Sequence, residues 1–421
     1  MLYVGARLPS RSETFVYREL LALRGLGWTV HAASVHPPER DLGDPTLERL
    51  AGETLPIYGQ GLRRLLTAAA RECLSRPLRS TRTLALAAGD AFRAEPRPLP
   101  GRLKILGQAV AGLALARAAR RLGVGHVHAH MAHVPTTIAM YAATQLGTPF
   151  SFTGHANDIF RERTLLREKL GRASFAACIS EWHRDLYRAL LGKDQAAAER
   201  LPVVRCAVDC GRFAPAAPDA REPGLIVSVG RLVPKKGFDV LIRALAKIAH
   251  EPWRCVIAGD GPERPRLESL RDELGLRDRV ELLGAVSNDR VRSLLSRASL
   301  FALACRIDEE GDRDGIPVVL MEAMSFGLPV IAGDLPAIRE LVDGAGTGLL
   351  ATPGDAASVA DAVARVLRDR AMAERLGAGG RRRVEEEFGE RTNVLRLSSA
   401  IEAASRATPA PARTDGIGPG L

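Results

Sequence analysis

Short apolar runs alternate with amphipathic segments along most of the chain, and this alternation is typical of β-strands separated by α-helices. In the first half, strand-like runs cover residues 28–35, 126–130 and 149–155, and the segment TTIAMYAATQLG at residues 136–147 has the pattern of a helix between the last two. A strand, a helix and a second strand in this order favour a parallel sheet covered by helices. We therefore predict an α/β fold.

The second half repeats this alternation more regularly. Its strand-like runs read LIVSVG, WRCVIAG, RVELLG, SLFALA and PVIAG. The segments between them predict helices at 237–250, 263–274, 288–297 and 317–326. Five strands with intervening helices predict a doubly wound, Rossmann-like domain. Three more helices follow the last predicted strand, at 355–369, 371–387 and 391–406. Because no strand is left for them to cover, we expect one of them to cross back to the first half.

A chain of 421 residues with 46% hydrophobic content is too long for one hydrophobic core. The periodic pattern stops around residues 211–224, where Pro, Gly and Ala accumulate. We therefore place a domain boundary there and predict two Rossmann-like domains, at 1–215 and 216–390. A crossover helix at 391–407 and a disordered tail at 408–421 complete the predicted organisation.

The first helix carries a start signal. Ser10 and Glu13 have the S-x-x-E spacing of a capping box, and Val16 and Leu20 continue an apolar stripe that Gly25 ends. The sequence therefore predicts that this helix begins at Ser10.

Composition narrows the classes of partner. A formal net charge of +10 draws the surface to anions, whereas an aromatic content of 5% provides few rings for stacking on bases, so we expect no nucleic-acid partner. The six cysteines are scattered without a CxxC pair, which favours a reducing cytoplasm and no structural zinc. The N-terminus lacks the pattern of a signal peptide, and no apolar run reaches spanning length.

Residues 62–122 mix Leu and Ala with Arg at helical spacing. Basic amphipathic helices of this kind lie on anionic membrane leaflets, and they also occur as ordinary surface helices. Both interpretations stay open, so the expected location is cytoplasmic, with peripheral association at the inner face of the membrane as one outcome.

The segment SVGRLVPKK predicts a phosphate site. A strand-like run ends at Gly230 and leads to Arg231 and Lys236, and two of the six lysines of the chain are adjacent here. The loop after a parallel strand is where α/β sheets bind ligands, and an ammonium beside a guanidinium suits a diphosphate.

The segment DEEGDRDGIPVVLMEAMSFG predicts the opposite wall of that site. Pro317 stands in the first turn of a helix, so the amide groups of Gly315 and Ile316 onward and the helix dipole form an anion site. Asp314 precedes the helix and Glu322 lies inside it among apolar neighbours. Because an isolated buried carboxylate is costly, we expect Glu322 to bind a ligand hydroxyl.

Taken together, these segments resemble the retaining GT-B glycosyltransferases of family 4. The resemblance rests on SVGRLVPKKG, IAGDGPERPRL, VELLGAVSNDRV, the acid-x7-acid segment with AMSFGLPVIAG, and TGLLATPGD. In the first half, LPSRSETFVYREL, VHAHMA, FSFTGHANDIF and CAVDCGRF resemble the branch associated with exopolysaccharide and cell-envelope glycan synthesis. It implies two Rossmann-like domains that face a cleft.

The resemblance also implies roles for particular residues. Arg231 and Lys236 bind the donor diphosphate, Glu322 the ribose and Asp314 a sugar hydroxyl, while His155 lies near the reacting carbon. The family usually has Glu where this chain has Asp314, so Glu309 and Glu310 remain alternatives for that role. The remaining donor-side residues are Gly230, Gly259, Gly261, Gly315, Ile316 and Pro317.

The acceptor side is assigned to the first half. The family loop there is often Gly-rich, but here it reads ARLPSRSET. The residues assigned to acceptor or phosphate contacts are Arg11, Ser12, Glu13, His130 and Asp158. His128, His130 and His133 have no acid or Cys near them in the sequence to complete a metal site, so we expect no metal and no cofactor.

The implied activity is transfer of a sugar, with retention of configuration, from a UDP- or GDP-linked donor to a hydroxyl of a glycan, a lipid-linked acceptor or a small molecule. One alternative is a protein that binds nucleotide sugars or glycolipids without transferring them. A nicotinamide dehydrogenase is a third possibility, but its GxGxxG fingerprint is absent after the first strand, and GDGPER late in the chain is interpreted as a turn.

Overall fold

Two parallel sheets organise the computed structural model, which describes residues 1–10, 13–40, 42–93, 99–155, 163–213 and 221–407. The chain divides into two compact units. The first comprises Met1–Cys178, Arg184–Val204 and the chain from Val394 on, and the second comprises Ile179–His183 and Arg205–Asn393. The predicted boundary at 215 and 216 and the predicted tail at 408–421 lie outside the described residues.

The first unit is built on six parallel strands in the order β3-β2-β1-β4-β5-β6. They are β1 (Leu2–Arg7), β2 (His31–His36), β3 (Leu55–Pro56), β4 (Val127–His130), β5 (Phe150–Gly154) and β6 (Phe175–Cys178). The helices of the N-terminal half are α1 (Thr14–Gly25), α2 (Pro45–Glu53), α3 (Leu62–Ser75), α4 (Pro77–Arg93), α5 (Leu99–Arg121), α6 (Val134–Leu146), α7 (Leu166–Arg172), α8 (Glu181–Leu191) and α9 (Gln195–Ala198).

Both faces of this sheet are buried. Side chains of successive strand residues point to opposite faces, so a single strand contributes to two cores. Leu2 and Val4 of β1 belong to the core on one face, and Tyr3 belongs to the core on the other. The second of these cores also contains Leu397 and Ile401 from the last helix of the chain. The expectation that a C-terminal helix returns to the first half is confirmed.

The second unit has six parallel strands in the order β12-β11-β10-β7-β8-β9. They are β7 (Leu225–Val229), β8 (Arg254–Ala258), β9 (Val280–Gly284), β10 (Leu300–Leu303), β11 (Val330–Gly333) and β12 (Leu349–Ala351). Its α-helices are α10 (Phe238–Lys247), α11 (Arg264–Glu273), α12 (Asn288–Arg297), α13 (Val318–Ser325), α14 (Ala356–Arg368) and α15 (Arg370–Arg383), and α16 (Glu390–Ala407) ends the described chain. Short 3₁₀ turns occur at Pro234–Lys236 and Ile338–Glu340, and a π-helical turn at Val384–Phe388.

The prediction of two doubly wound parallel-sheet domains is confirmed, but the predicted strands did not include β3 and β6 of the first unit or β12 of the second. Strand β12 has three residues and pairs with β11 at the sheet edge, between Gly348 and a loop. A run as short as β12 carries no period-two pattern that would distinguish it from its flanking loops.

The predicted start of the first helix is wrong. Helix α1 begins at Thr14 with Glu13 at its N-cap, and the Glu13 side chain makes no capping hydrogen bond. Upstream, the Leu8 amide donates to Ser34 Oγ at 2.9 Å, and the Pro9 carbonyl accepts from the Glu39 amide at 3.1 Å. These contacts hold the chain against β2 and the loop that follows it, so Ser10 stays outside the helix.

The described part of residues 62–122 forms helices α3, α4 and α5, in agreement with the predicted helical periodicity. Within the described ranges, none of the helices is both long enough and apolar enough to cross a membrane.

Candidate active site

The predicted donor residues lie in the second unit, beyond the ends of two adjacent strands. Strands β7 and β10 pair in the middle of the sheet, and the strand order runs outwards from them in both directions. Connections that follow such a pair turn to opposite faces and leave a crevice at the carboxyl ends of the strands, where α/β sheets bind ligands. Arg231 and Lys236 follow β7, and Asp314 follows β10.

Gly237 brings these two connections into contact. Its φ is +66°, and a Cβ at this position would meet the Ala304 carbonyl oxygen at 1.9 Å. A side chain here would therefore both strain the backbone and push apart the segments that follow β7 and β10. The Arg306 amide donates to the Lys235 carbonyl at 2.8 Å and joins the same two segments.

The close approach places Lys236 and Asp314 in an ion pair. Lys236 Nζ lies 2.9 Å from Asp314 Oδ2, and their side chains are 15% and 14% exposed. Lys235 Nζ lies 3.1 Å from Asp312 Oδ2 and 3.7 Å from Asp314 Oδ1. We call these four residues the lysine–aspartate cluster. Its two positive and two negative charges balance.

Burial and pairing act in opposite directions on this cluster. Burial lowers the pKa of Lys236, but the Asp314 carboxylate raises it, and the net direction is upward. Burial raises the pKa of Asp314, but the two lysines lower it, and the net direction is downward. Both groups are therefore charged at neutral pH. The Cys305 thiol donates to Asp314 Oδ2 at 3.4 Å, and burial raises its pKa well above the usual value, so it stays protonated.

Arg231 differs from the lysines because it is exposed. Its side chain makes no hydrogen bond or ion pair with any residue that the structure describes. Since the lysines already face carboxylates, Arg231 is the cation of this crevice that has no counter-charge within the described chain.

Gly230, Gly259 and Gly261 shape the loop that carries Arg231. A Cβ on Gly259 would meet the Gly230 carbonyl oxygen at 1.9 Å, and a Cβ on Gly261 would meet the Leu232 carbonyl oxygen at 2.4 Å. The GDGPER segment is therefore a tight turn between β8 and α11 that packs on the end of β7. Its predicted contact with a donor stays a prediction.

Helix α13 begins beside this crevice with Pro317 at its N-cap rather than inside its first turn. Gly315 is half-buried and the Ile316 side chain is 8% exposed. Glu322 is half-buried, although its neighbours Met321 and Ala323 are fully buried. The argument that a buried carboxylate needs a ligand is therefore weaker than the sequence implied, and the role of Glu322 rests on the resemblance.

Sequence reasoning missed Lys235, Asp312 and Cys305 in this site. Asp312 is buried beside Lys235, whereas Glu309 and Glu310, which were considered as alternative acids, are exposed. The adjacent lysines and the acid-rich insert contained the signal. Only the fold shows which acid each lysine contacts.

The first unit holds a second polar cluster around His130. Its Nε2 lies 2.9 Å from Glu19 Oε1, which also accepts from the Tyr3 hydroxyl at 2.7 Å. Its Nδ1 lies 3.1 Å from His155 Nε2. Because a carboxylate only accepts, His130 Nε2 carries the hydrogen, and the Nδ1 of a neutral His130 accepts from His155 Nε2–H. Glu19 thus fixes the orientation of His155 through His130, and sequence reasoning missed it.

The premise that no acid accompanies the histidines is wrong. Ligand atoms of Glu19, His128 and His130 lie within 4.8 Å of one another. Hydrogen bonds nevertheless account for the ring nitrogens. Those of His128 face the Ser151 and Thr153 hydroxyls at 2.8 and 3.1 Å, and those of His130 face His155 and Glu19. The expectation that no metal is required stays a prediction.

The remaining assigned residues are described in part. His155 is 8% exposed and belongs to the first unit. Glu13 is half-buried at the N-cap of α1. Arg11, Ser12 and Asp158, which were assigned to the acceptor side, lie outside the described residues.

Comparison with known proteins defines the class. Residues 214–383, which contain the lysine–aspartate cluster and α13, match the family of glycosyl transferases group 1. The GDP-mannose-dependent alpha-(1-6)-phosphatidylinositol monomannoside mannosyltransferase of Mycolicibacterium smegmatis is 30% identical over 261 residues, which is 59% of this chain and 67% of that protein. The amylovoran biosynthesis glycosyltransferase AmsK of Erwinia amylovora is 32% identical over 209 residues, which is 49% of this chain and 51% of that protein.

The chain therefore belongs to the group 1 glycosyltransferases. The matched regions span about half to two thirds of these relatives' length. The structure of HepE from Anabaena in complex with UDP and glucose has a TM-score of 0.68 and 16% identity, and the alignment covers 96% of this chain and 99% of that one. This likeness shows the GT-B type of fold.

Proposed function

We propose that the protein is a family 4, retaining glycosyltransferase that moves a sugar from a nucleotide-diphosphate donor to an acceptor hydroxyl. The observation that carries the proposal is the lysine–aspartate cluster. It lies at the carboxyl ends of the two central strands of the second unit, beside the exposed Arg231 and the start of α13.

The difficult step is departure of the nucleoside diphosphate, because negative charge develops on its oxygens. Arg231, Lys236 and the amide groups at the start of α13 stabilise that charge. A contact of this kind lowers the barrier by ~3 kcal/mol when it is stronger in the transition state than in the ground state. We propose that the donor replaces Asp314 as the partner of Lys236, which leaves the Asp314 carboxylate to accept from a hydroxyl of the donor sugar.

The donor base and the acceptor are proposed from the relatives. The mycobacterial relative is named for GDP-mannose and a phosphatidylinositol mannoside, and AmsK for amylovoran biosynthesis. The HepE structure contains UDP. We propose a UDP- or GDP-linked donor, a glycan or lipid-linked acceptor in polysaccharide or cell-envelope synthesis, and a location in the cytoplasm or at the inner face of the membrane.

The proposal is tested first by donor binding and then by turnover. Thermal unfolding is measured with UDP, GDP and ADP and with sugars linked to each, because a ligand that binds only the native state stabilises it by about 2.7 kcal/mol at a hundredfold excess over its Kd. The nucleotide that stabilises the protein selects the sugar donors for a transfer and donor-hydrolysis assay. We expect Lys236→Ala to lower turnover by about a hundredfold or more. Lys247→Ala, a change of an exposed lysine at the far end of α10, retains it.

A second candidate is a protein that binds the donor without transferring the sugar. The observation that favours it is the balanced charge of the lysine–aspartate cluster, in which Lys236 is already occupied by Asp314. Stabilisation by a nucleotide sugar without hydrolysis or transfer supports this candidate, and turnover excludes it. Turnover that stays near the wild-type rate in Lys236→Ala removes the proposed site.

A further inference from the structure

The positive charge of the chain is concentrated in α3, α4 and α5. Residues 62–121 contain twelve arginines and one lysine against three acidic residues, an excess of ten that equals the net charge of the whole chain. Two of the acids are buried and paired, since Glu72 contacts Arg120 at 2.7 Å and Asp90 contacts Arg172 at 2.6 Å. The third, Glu95, lies outside the described residues. The exposed surface of these helices, as far as the structure describes it, is therefore basic without compensating acids.

A cavity of about 390 Å³ lies within this basic region, between β3, α3 and α5. Its walls are partly apolar, with Ile57, Leu65 and Leu115 among them. Five arginines also line it, and the described lining contains no carboxylate. These five, which we call the cavity arginines, are Arg63, Arg64, Arg71, Arg117 and Arg121.

The cavity arginines have no counter-charge in the folded protein. Their side chains form no hydrogen bond or ion pair with the described part of the chain. Arg120, one residue from Arg121 on α5, shows the alternative, because it contacts the buried Glu72. Guanidinium groups stay protonated and repel one another, so a cavity lined by five of them favours an anion. Their planar fork matches the oxygens of a phosphate.

The surface around the cavity exposes large apolar side chains, which a ligand at this site would also contact. Nine of the fifteen large hydrophobic side chains that are exposed in the described structure belong to residues 62–106, on α3 to α5. Leu62, Leu66 and Leu74 follow helical spacing along α3 and are 70%, 49% and 83% exposed, and Leu78 at the start of α4 is 88% exposed. Leucines this exposed beside unpaired arginines are typical of helices that lie in a membrane interface.

We propose that the cavity binds the phosphate headgroup of an anionic phospholipid in a bilayer, while the exposed leucines of α3 and α4 enter the interface beside it. The cationic lining favours an anionic headgroup. The exposed leucines beside the cavity favour a bilayer over a free phosphate. The site lies wholly in the first unit. It is independent of donor binding, so it stands or falls separately from the proposed transfer reaction.

Vesicle flotation of the full-length chain tests the proposal. We expect binding to vesicles of equimolar phosphatidylcholine and phosphatidylglycerol and none to phosphatidylcholine alone. The variant Arg64→Gln/Arg121→Gln removes one exposed cavity arginine from each helix and is expected to weaken binding by about 25-fold, since each arginine at an anionic surface contributes roughly fivefold. The control Arg243→Gln/Arg396→Gln removes two exposed arginines elsewhere and leaves binding within about twofold. Equal losses in both variants overturn the proposal, because the charge of the chain would then matter and the cavity would not.

Two further measurements separate the sources of phosphate. Leu74→Ser/Leu78→Ser is expected to weaken vesicle binding while the cavity arginines remain. Calorimetry with inorganic phosphate and with glycerol 1-phosphate is expected to show binding at least about a hundredfold weaker than vesicle binding, because neither ligand buries the exposed leucines. Binding of either soluble phosphate as tight as that of vesicles assigns the cavity to a soluble ligand and overturns the bilayer proposal. The midpoint of thermal unfolding without ligand serves as the folding control, because we expect it to be unchanged in every variant.

Discussion

Each unit contains a buried polar cluster, and these two clusters differ in charge. In the second unit, Lys236 and Asp314 are both charged and stabilise each other across 2.9 Å. In the first unit, burial lowers the pKa of His126 to about 4 and that of His128 well below its ordinary value, so both rings are neutral and bond to hydroxyl groups. One cluster depends on opposite charges, and the other on hydrogen bonds between neutral groups.

This difference indicates what each cluster can do. A charged pair exchanges partners readily with a charged ligand, because the ligand replaces one ionic contact by another. The neutral imidazoles of His126 and His128 and the Ser151 hydroxyl that both contact have no charge to offer a diphosphate and instead fix the geometry of their strands. Exchange is therefore expected in the second unit, and rigid positioning in the first.

The largest expected effect comes from separating the segments that hold the charged cluster together. Gly237→Ala adds a Cβ against the Ala304 carbonyl at a φ of +66° and is expected to lower the free energy of unfolding by about 4 kcal/mol. Gly275→Ala is the matched control, because Gly275 has a φ of +67° and open space at its Cβ, so only the backbone strain of about 1 kcal/mol remains. Urea unfolding measures both, and equal losses would show that the close approach has no energetic role.

The next effect comes from removing one charge of the pair. Asp314→Asn leaves Lys236 mostly buried without its counter-charge and is expected to cost about 3 kcal/mol. Glu374→Gln breaks the exposed Arg370–Glu374 pair, at 2.8 Å, and is expected to cost less than about 0.5 kcal/mol. A double-mutant cycle with Lys236→Met measures the coupling between the two groups. A coupling below about 0.5 kcal/mol contradicts the ionic description.

The two clusters are expected to lose their contributions to stability at different pH values. The folded pKa of His126 is about 4 and its unfolded value is 6.5, so the unfolded chain binds more protons between these values. Stability is therefore full above about pH 6.5 and is lost as the pH falls towards 4, by about 2 kcal/mol from His126 at pH 5. The folded pKa of Asp314 lies below its ordinary value of 3.8, so its contribution persists at pH 5 and is lost only as the pH falls further.

Unfolding titrations between pH 7 and pH 4.5 measure this loss. His126→Gln is expected to flatten the pH dependence by the share of His126, whereas His250→Gln, a change of an exposed histidine, leaves it unchanged. The same slope in wild type and His126→Gln would assign the acid sensitivity to other groups. The comparison of the two units predicts that the histidine network fails first.

The layout of the fold follows from local patterns, and the tertiary contacts of the site do not. The predicted helix at 288–297 coincides with α12, because Ser287 caps it and apolar residues recur along it. Ser10 carried an equally clear signal and failed, since contacts with Ser34 and Glu39 hold its segment outside the helix. Local signals predict an element only where no distant contact competes for the same backbone.

The site residues divide in the same way. Lys236 and Asp314 follow strands that the sequence located correctly, so their proximity could be expected from the meeting of strand ends. The contact between them could not, because it depends on the close approach at Gly237. Glu19 was invisible for a related reason, since it lies 111 positions from His130 and nothing local marks a carboxylate on α1 as its partner.

The last helix has a consequence for recombination between relatives. The segment Arg205–Asn393 belongs to the second unit, but Val394, Leu397 and Ile401, which follow it, belong to the core of the first unit. The segment Ile179–His183 belongs to the second unit although it lies within the first half of the chain. A chimera that takes its second unit from another family member therefore cannot be made by one exchange between the two halves of the chain, because the last helix must be inherited together with the first unit.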